Sequence, residues 1–250
     1  MKRALKRAGL IAGGAAGAAA LLGVGYAATT WYRYGRAGRG RAPDPLLDGF
    51  MPQYEVAERH EIAVAAPAAV TFAAARELEL QRSWLVRAIF AGRELLMRAT
   101  PAPETTPRPF VDQALALGWR ILAAEPGRAI VLGAATRPWE ADVVLRGVPP
   151  EEFAGFATPG YVKIVWAFSV EPLGESGSIC RTETRVATTD AVSRERFRRY
   201  WAAFKPGILL IRREALRLIK RDAERRSTGS AALAPATPAA LPLSGASTDQ

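Results

Sequence analysis

The chain of 250 residues holds one cysteine, Cys180, and one histidine, His60. A single cysteine excludes an intrachain disulfide and any cysteine-rich metal site. A single histidine excludes multi-histidine metal sites. A nucleophile pair of His60 and Cys180 is the one such arrangement available, and no local motif supports it. A lone cysteine in an apparent strand reads as a small core residue. A P-loop, a dinucleotide fingerprint, a nucleophile elbow and a zinc signature are also missing. The glycines of "GAAGAAA" follow no strand and do not form a phosphate loop. No repeat of fixed period is present. No catalytic residue, metal or cofactor is therefore assigned.

Acidic side chains are absent from residues 1–43, which carry eight Lys and Arg. Residues 44–192 hold fourteen basic against nineteen acidic side chains, and residues 193–226 hold twelve against four. The net charge of +10 thus sits at two ends of a mildly acidic middle. That distribution suits an anionic membrane surface better than a DNA-reading face, so nucleic acid is not expected as a partner. With 49% hydrophobic and 23% charged residues, the chain can bury a core.

After Lys2, Arg3, Lys6 and Arg7, an uncharged run extends from Ala8 to Tyr32. As a helix it would reach roughly 37 Å at ~1.5 Å per residue, enough to span a bilayer. Trp31, Tyr32 and Tyr34 stand at its far end, where aromatic rings favour the interface. Gly9, Gly13 and Gly17 recur every four residues, a spacing that permits close helix pairing. Residues 1–32 are read as a retained single-pass membrane anchor with the membrane contact at residues 8–32. The alternative is a cleaved signal peptide, since "GYAA" places Gly25 and Ala27 at a small-residue spacing.

Residues 33–53, with "RAPDPLLDGFMP", read as a linker. Residues 227–250, rich in Ser, Ala, Pro and Thr, read as a disordered tail. Between them residues 54–226 carry regular patterns. "YEVAERHEIAVAAP" places Val56, His60, Ile62 and Val64 on one face of a strand. "APAAVTFAAARELEL" is a helix with Pro67 in its first turn. "SWLVRAIFAGRELLMR" is a second, with Leu85, Ile89 and Leu96 on one side. "GWRILAAEPGRAIVLGAATRPWEADVVLRG" divides into three short strands, with a tight turn at Pro126 and Gly127. "GYVKIVWAFSVEPL" aligns Val162, Ile164, Trp166, Phe168 and Val170. "GSICRTETRVATTD" places Cys180, Thr182, Thr184 and Val186 opposite Arg181, Glu183 and Arg185. A long helix follows from about Ala191 to Arg226. The expected class is α+β: a curved antiparallel sheet of six to seven strands with one face to bury, a long helix to bury it, and two short helices.

This order, together with the "APAAV" entry into the first helix, the "EPG" turn and the closing "RFRRYWAAFKPGILLIRREALRLIKRDAER", resembles the START-like, or SRPBCC, superfamily. That is the helix-grip fold shared with polyketide cyclases and Bet v 1-like proteins. The resemblance covers residues 54–226 and rests on architecture. It implies a cavity between sheet and long helix that holds a hydrophobic small molecule or lipid. The superfamily has no invariant catalytic set.

On the long helix Phe197, Trp201, Phe204, Ile208, Ile211, Ala215 and Leu218 form a continuous stripe. Arg194, Arg198, Arg199, Arg212, Arg213, Arg217, Lys220 and Arg221 are expected outside it, facing lipid or water. Pro206 and Gly207 predict a kink. Given the resemblance, Trp166, Phe168, Trp201, Phe204 and Ile208 are candidate lining residues, and Arg137 and Trp139 candidates for the cavity mouth. For "TRPWE" the plainer reading is a hairpin corner with Trp139 packed on the sheet. Arg181, Glu183 and Arg185 read as a solvated ion ladder, or as ligand contacts if that face turns inward. The function expected is membrane-tethered, non-enzymatic binding. The alternative is a cyclase or dehydratase using Arg137 and Glu183.

Overall fold

A computed structural model describes residues 23–35, 44–100 and 108–233. Residues 1–22 of the expected anchor, 36–43 of the expected linker and 234–250 of the expected tail lie outside them. Among the described residues no helix is long and apolar enough to cross a membrane.

The chain enters on a helical stretch, α1, at residues 23–33. Its end is attached to the rest: Thr30 is buried, and the Gly35 amide donates to the Glu55 carbonyl at 3.1 Å. One turn of helix, α2 (Pro45–Asp48), is capped by Asp44, whose side chain accepts from the Leu47 amide. Strand β1 (Val56–Val64) leads into α3 (Ala68–Arg76), a 3-10 turn (Leu80–Arg82) and α4 (Trp84–Met97). Pro67 is the N-cap of α3, one residue before the first-turn position expected.

A short helix that the periodicity did not suggest, α5 (Phe110–Ala116), comes next. Strands β2 (Arg120–Glu125), β3 (Ala129–Thr136) and β4 (Leu145–Arg146) follow. The β2–β3 turn is where "EPGR" places it, with Gly127 at a φ of +73° that a side chain would disfavour. A one-turn helix, α6 (Pro150–Phe153), precedes the long hairpin of β5 (Val162–Leu173) and β6 (Gly177–Thr188). The last helix, α7, runs Ala191–Leu233 without interruption through Pro206. It therefore extends seven residues past Arg226, into the segment read as the tail.

The six strands form one antiparallel sheet in the order β1-β6-β5-β3-β2, with β4 paired to the end of β3. Register aligns Ile62 with Cys180 and Cys180 with Val170, so one row of apolar side chains crosses three strands toward α7. This is the α+β class expected, a six-stranded antiparallel sheet packed against a long C-terminal helix.

The sheet has two faces to bury, not one. Ile130 and Leu132 of β3 point to the α7 side, whereas Val131 and Ala135 point outward into a second apolar cluster. That outer cluster is closed by Leu47 and Met51 from the segment expected to be a linker, and by Phe153 of α6. The physical reason is visible in β3 itself, where "AIVLGAA" is apolar at every position and needs cover on both sides. The α4 face also differs from expectation: Val86 is buried, while Leu96 is 75% exposed.

Candidate functional site

Along α7 the apolar stripe meets three different environments. Near its start, Phe197 and Trp201 pack on Val56, Val162 and Val186. Near its end, Ala215, Leu216, Ile219 and Ala223 join Val64, Ala66 and Phe72 in the main core. Between these anchors the helix and the sheet stand apart in part, although Lys205 still reaches Glu58 of β1 at 2.7 Å. A cavity of about 320 Å³ lies there. Its floor is Trp166, Phe168, Cys180 and Thr182 of the sheet, and one wall is Phe204, Ile208 and Ile211 of α7.

The other walls come from α4 and α5. Ile89 and Phe90 close one side, and Phe110 packs edge-on to Trp166 with ring centres 4.2 Å apart. Phe168 stacks on Phe72 at 5.6 Å. Phe90 lies in the wall and is also exposed, which sets an opening beside α4. Gly207 faces α4 closely: a Cβ there would stand 3.0 Å from Ile89 Cγ2.

Few polar groups reach the cavity, and most are already bonded. The Trp166 Nε1 donates to Thr182 Oγ1 at 2.6 Å, and that hydroxyl donates to the Ala167 carbonyl. Arg93 donates to the carbonyls of Pro138, Glu140 and Ala141, tying α4 to the loop after β3. Burial raises the Tyr200 phenol, and a hydrogen bond with Arg93 partly offsets this. Burial also pushes the Cys180 thiol up to about 12, so it stays protonated at neutral pH. Arg212 is the exception. It lines the cavity, and its buried Nε has no hydrogen-bond partner among the described residues. Among the described residues, no carboxylate and no histidine lines the cavity.

Of the residues expected at the site, Trp166, Phe168, Phe204 and Ile208 come together around this space. Trp201 does not: it is 5% exposed and fills the neighbouring cluster, which Trp139 also packs against. Arg137 is used in the hairpin corner. Its Nε donates to the Gly160 carbonyl at 3.0 Å, and its guanidinium covers the Tyr161 ring at 4.6 Å. Glu183 and Arg185 occupy the outer face, away from the cavity floor, whereas Arg181 borders the cavity. Arg181 pairs with Glu61 and Glu171. Glu183 and Arg185 are not a solvated ladder, because the segment carrying Asp48 and Met51 covers them.

Arg212 is the residue that the stripe reading set outside and the structure turns inward. Its spacing carries the signal: Phe204, Ile208, Arg212 and Leu216 recur at four-residue steps, the separation of neighbours on one helix face.

No family model matches the chain, and no curated protein matches it. Among solved structures, a di-domain aromatase/cyclase from a biosynthetic pathway is 14% identical, with a TM-score of 0.33, over 68% of this chain and 46% of that chain. The chain thus spans under half the length of that protein. An aromatase/cyclase from a Streptomyces species is 14% identical, with a TM-score of 0.26, over 68% of this chain and 94% of that one. A START superfamily protein from Mycobacterium smegmatis is 14% identical, with a TM-score of 0.25, over 70% of this chain and 98% of that one.

Proposed function

We propose that this chain is a membrane-tethered, non-enzymatic binder of a hydrophobic small molecule or lipid. The observation that carries the reading is the aromatic and aliphatic cavity held open between the sheet and the middle of α7. Its volume of about 320 Å³ falls at the lower end of the ~300–1,000 Å³ usual for small-molecule sites. Apolar walls of this kind favour a ligand that leaves water. Acid–base catalysis needs a group that titrates near the working pH beside the substrate. The cavity wall has no carboxylate or histidine among the described residues, and its thiol is held protonated. The residues named for cyclase or dehydratase chemistry, Arg137 and Glu183, sit elsewhere. Binding is therefore favoured over catalysis.

The tether is the uncharged run from Ala8 to Tyr32, and its length and aromatic end support that part of the proposal. Its last turn touches the domain. Arg198 Nε and Nη2 both donate to the Trp31 carbonyl, at 3.2 and 2.9 Å, with the guanidinium 4.0 Å from the Trp31 ring centre. A run that crosses a membrane would thus deliver the domain to the surface without a slack joint at Trp31.

Native mass spectrometry of the full chain after mild detergent extraction tests the binding. The expected result is a bound apolar molecule that leaves on unfolding. Recovery of bare protein under several extraction conditions would count against the proposal.

A further inference from the structure

The cavity wall is interrupted by one cation, Arg212, with a buried nitrogen left unbonded among the described residues. Arg212 stands between Ile208 and Leu216 on the inner side of α7, with its guanidinium carbon 5.5 Å from the centre of the Trp166 ring. Among the described residues its buried Nε has no hydrogen-bond partner and no carboxylate forms an ion pair with it. Glu58 is the acid whose charge it feels, but that carboxylate is taken by Lys205 Nζ at 2.7 Å. The other two arginines at the cavity are occupied. Arg93 is spent on three backbone carbonyls, and Arg181 on Glu61 and Glu171.

Burying an unpaired cation is unfavourable unless something arrives to pair with it. Burial lowers the Arg212 guanidinium to about 10, which still leaves it charged at neutral pH. Its planar fork matches a carboxylate in a way that a neutral ligand cannot. The surrounding rings, Phe110, Trp119, Trp166, Phe168 and Phe204, offer flat faces and edges suited to another ring.

We infer that the ligand is a flat aromatic or conjugated acid, its ring among these aromatics and its carboxylate on Arg212. This rests on the binding reading above and goes further by naming the ligand's chemistry. The acid could also be carried by an unbranched chain, so the test separates the two.

Isothermal titration calorimetry on the full chain would compare 2-naphthoate, its neutral amide 2-naphthamide, and decanoate. We expect 2-naphthoate to bind about tenfold or more tightly than 2-naphthamide, the worth of a charge-assisted hydrogen bond. Arg212→Met should remove that difference and leave 2-naphthamide binding in place. Arg212→Lys should retain part of it, and this variant serves if the methionine variant does not fold. Equal affinity for acid and amide in the wild type, or a difference that survives Arg212→Met, would overturn the pairing with Arg212. Decanoate binding as tightly as 2-naphthoate would overturn the preference for a ring. If neither naphthalene probe binds, the binding reading fails and this inference fails with it.

Discussion

Arg185 and Glu183 form a charged pair almost out of reach of water, with side chains 2% and 4% exposed. Arg185 Nε donates to Glu183 at 3.0 Å, while Nη1 donates to Asp48 and to the Met51 carbonyl. Removing one partner of such a pair strands the other charge. Arg185→Met should therefore destabilise the fold by about 3 kcal/mol, read from denaturant unfolding. An unchanged midpoint would show that the pair is solvated after all. Cys180 gives a second prediction at this scale. Buried and held protonated, it should resist iodoacetamide in the native protein and react fully only after unfolding, as mass spectrometry would show. These side chains also mark what was legible in the sequence. The alternation in β5 identifies Trp166 and Phe168 as inward-facing. The same alternation in β6 separates Cys180 from Arg181 but leaves open which face is covered. The cover over Glu183 and Arg185 comes from a segment distant in sequence, and no local pattern announces it.

At the scale of elements, α7 carries two testable features. Asp190 precedes its first residue and accepts from the Ser193 amide at 2.8 Å and from the Ser193 hydroxyl at 2.7 Å, and also from the Gly160 amide. These donors hold its carboxyl well below the usual carboxylate range. A carboxyl depressed in the folded state stabilises above its unfolded pKa of ~3.9, and that gain is lost as pH falls through the lower folded value. Asp190→Ala should then melt below the wild type at pH 7, with the gap narrowing toward pH 2. A gap independent of pH would contradict this. Pro206 is exposed and lies inside the helix, where it supplies no amide hydrogen. Pro206→Ala should raise stability by about 1–3 kcal/mol in denaturant unfolding, whereas a loss would show that the proline shapes the helix to the sheet. The long strands and α7 were readable because their apolar spacing persists over many residues. The helices α2 and α6 were not, because one turn is too short to show a period. The "AIVLGAA" run of β3 was the sequence signal that something must cover the outer face.

The whole molecule is a helix fastened to a sheet at both ends with a space between the fastenings. That arrangement follows from where α7 has large side chains against close partners, at Phe197 and Trp201, and where small ones let it settle, at Ala215 and Ala223. In the sequence, basic charge is concentrated before residue 44 and along α7. If the Ala8 to Tyr32 run spans a bilayer, alkaline carbonate should leave the chain in the membrane pellet, and its release to the supernatant would exclude the tether. The fold class and half of the cavity wall were visible in the sequence. The extent of the space was not, because it depends on how α4 is placed against α7.

Gly207 lines the cavity with no side chain of its own, and a Cβ there would stand 3.0 Å from Ile89 Cγ2 of α4. The most direct measurement is the calorimetric binding of neutral 2-naphthamide to the wild type and to Gly207→Leu, with circular dichroism confirming that both are folded. A leucine there occupies the space between α7 and Ile89, so binding should fall about tenfold or more, the scale of one or more methylene groups in a pocket. Equal binding by the two folded proteins would place the ligand somewhere other than between the sheet and α7.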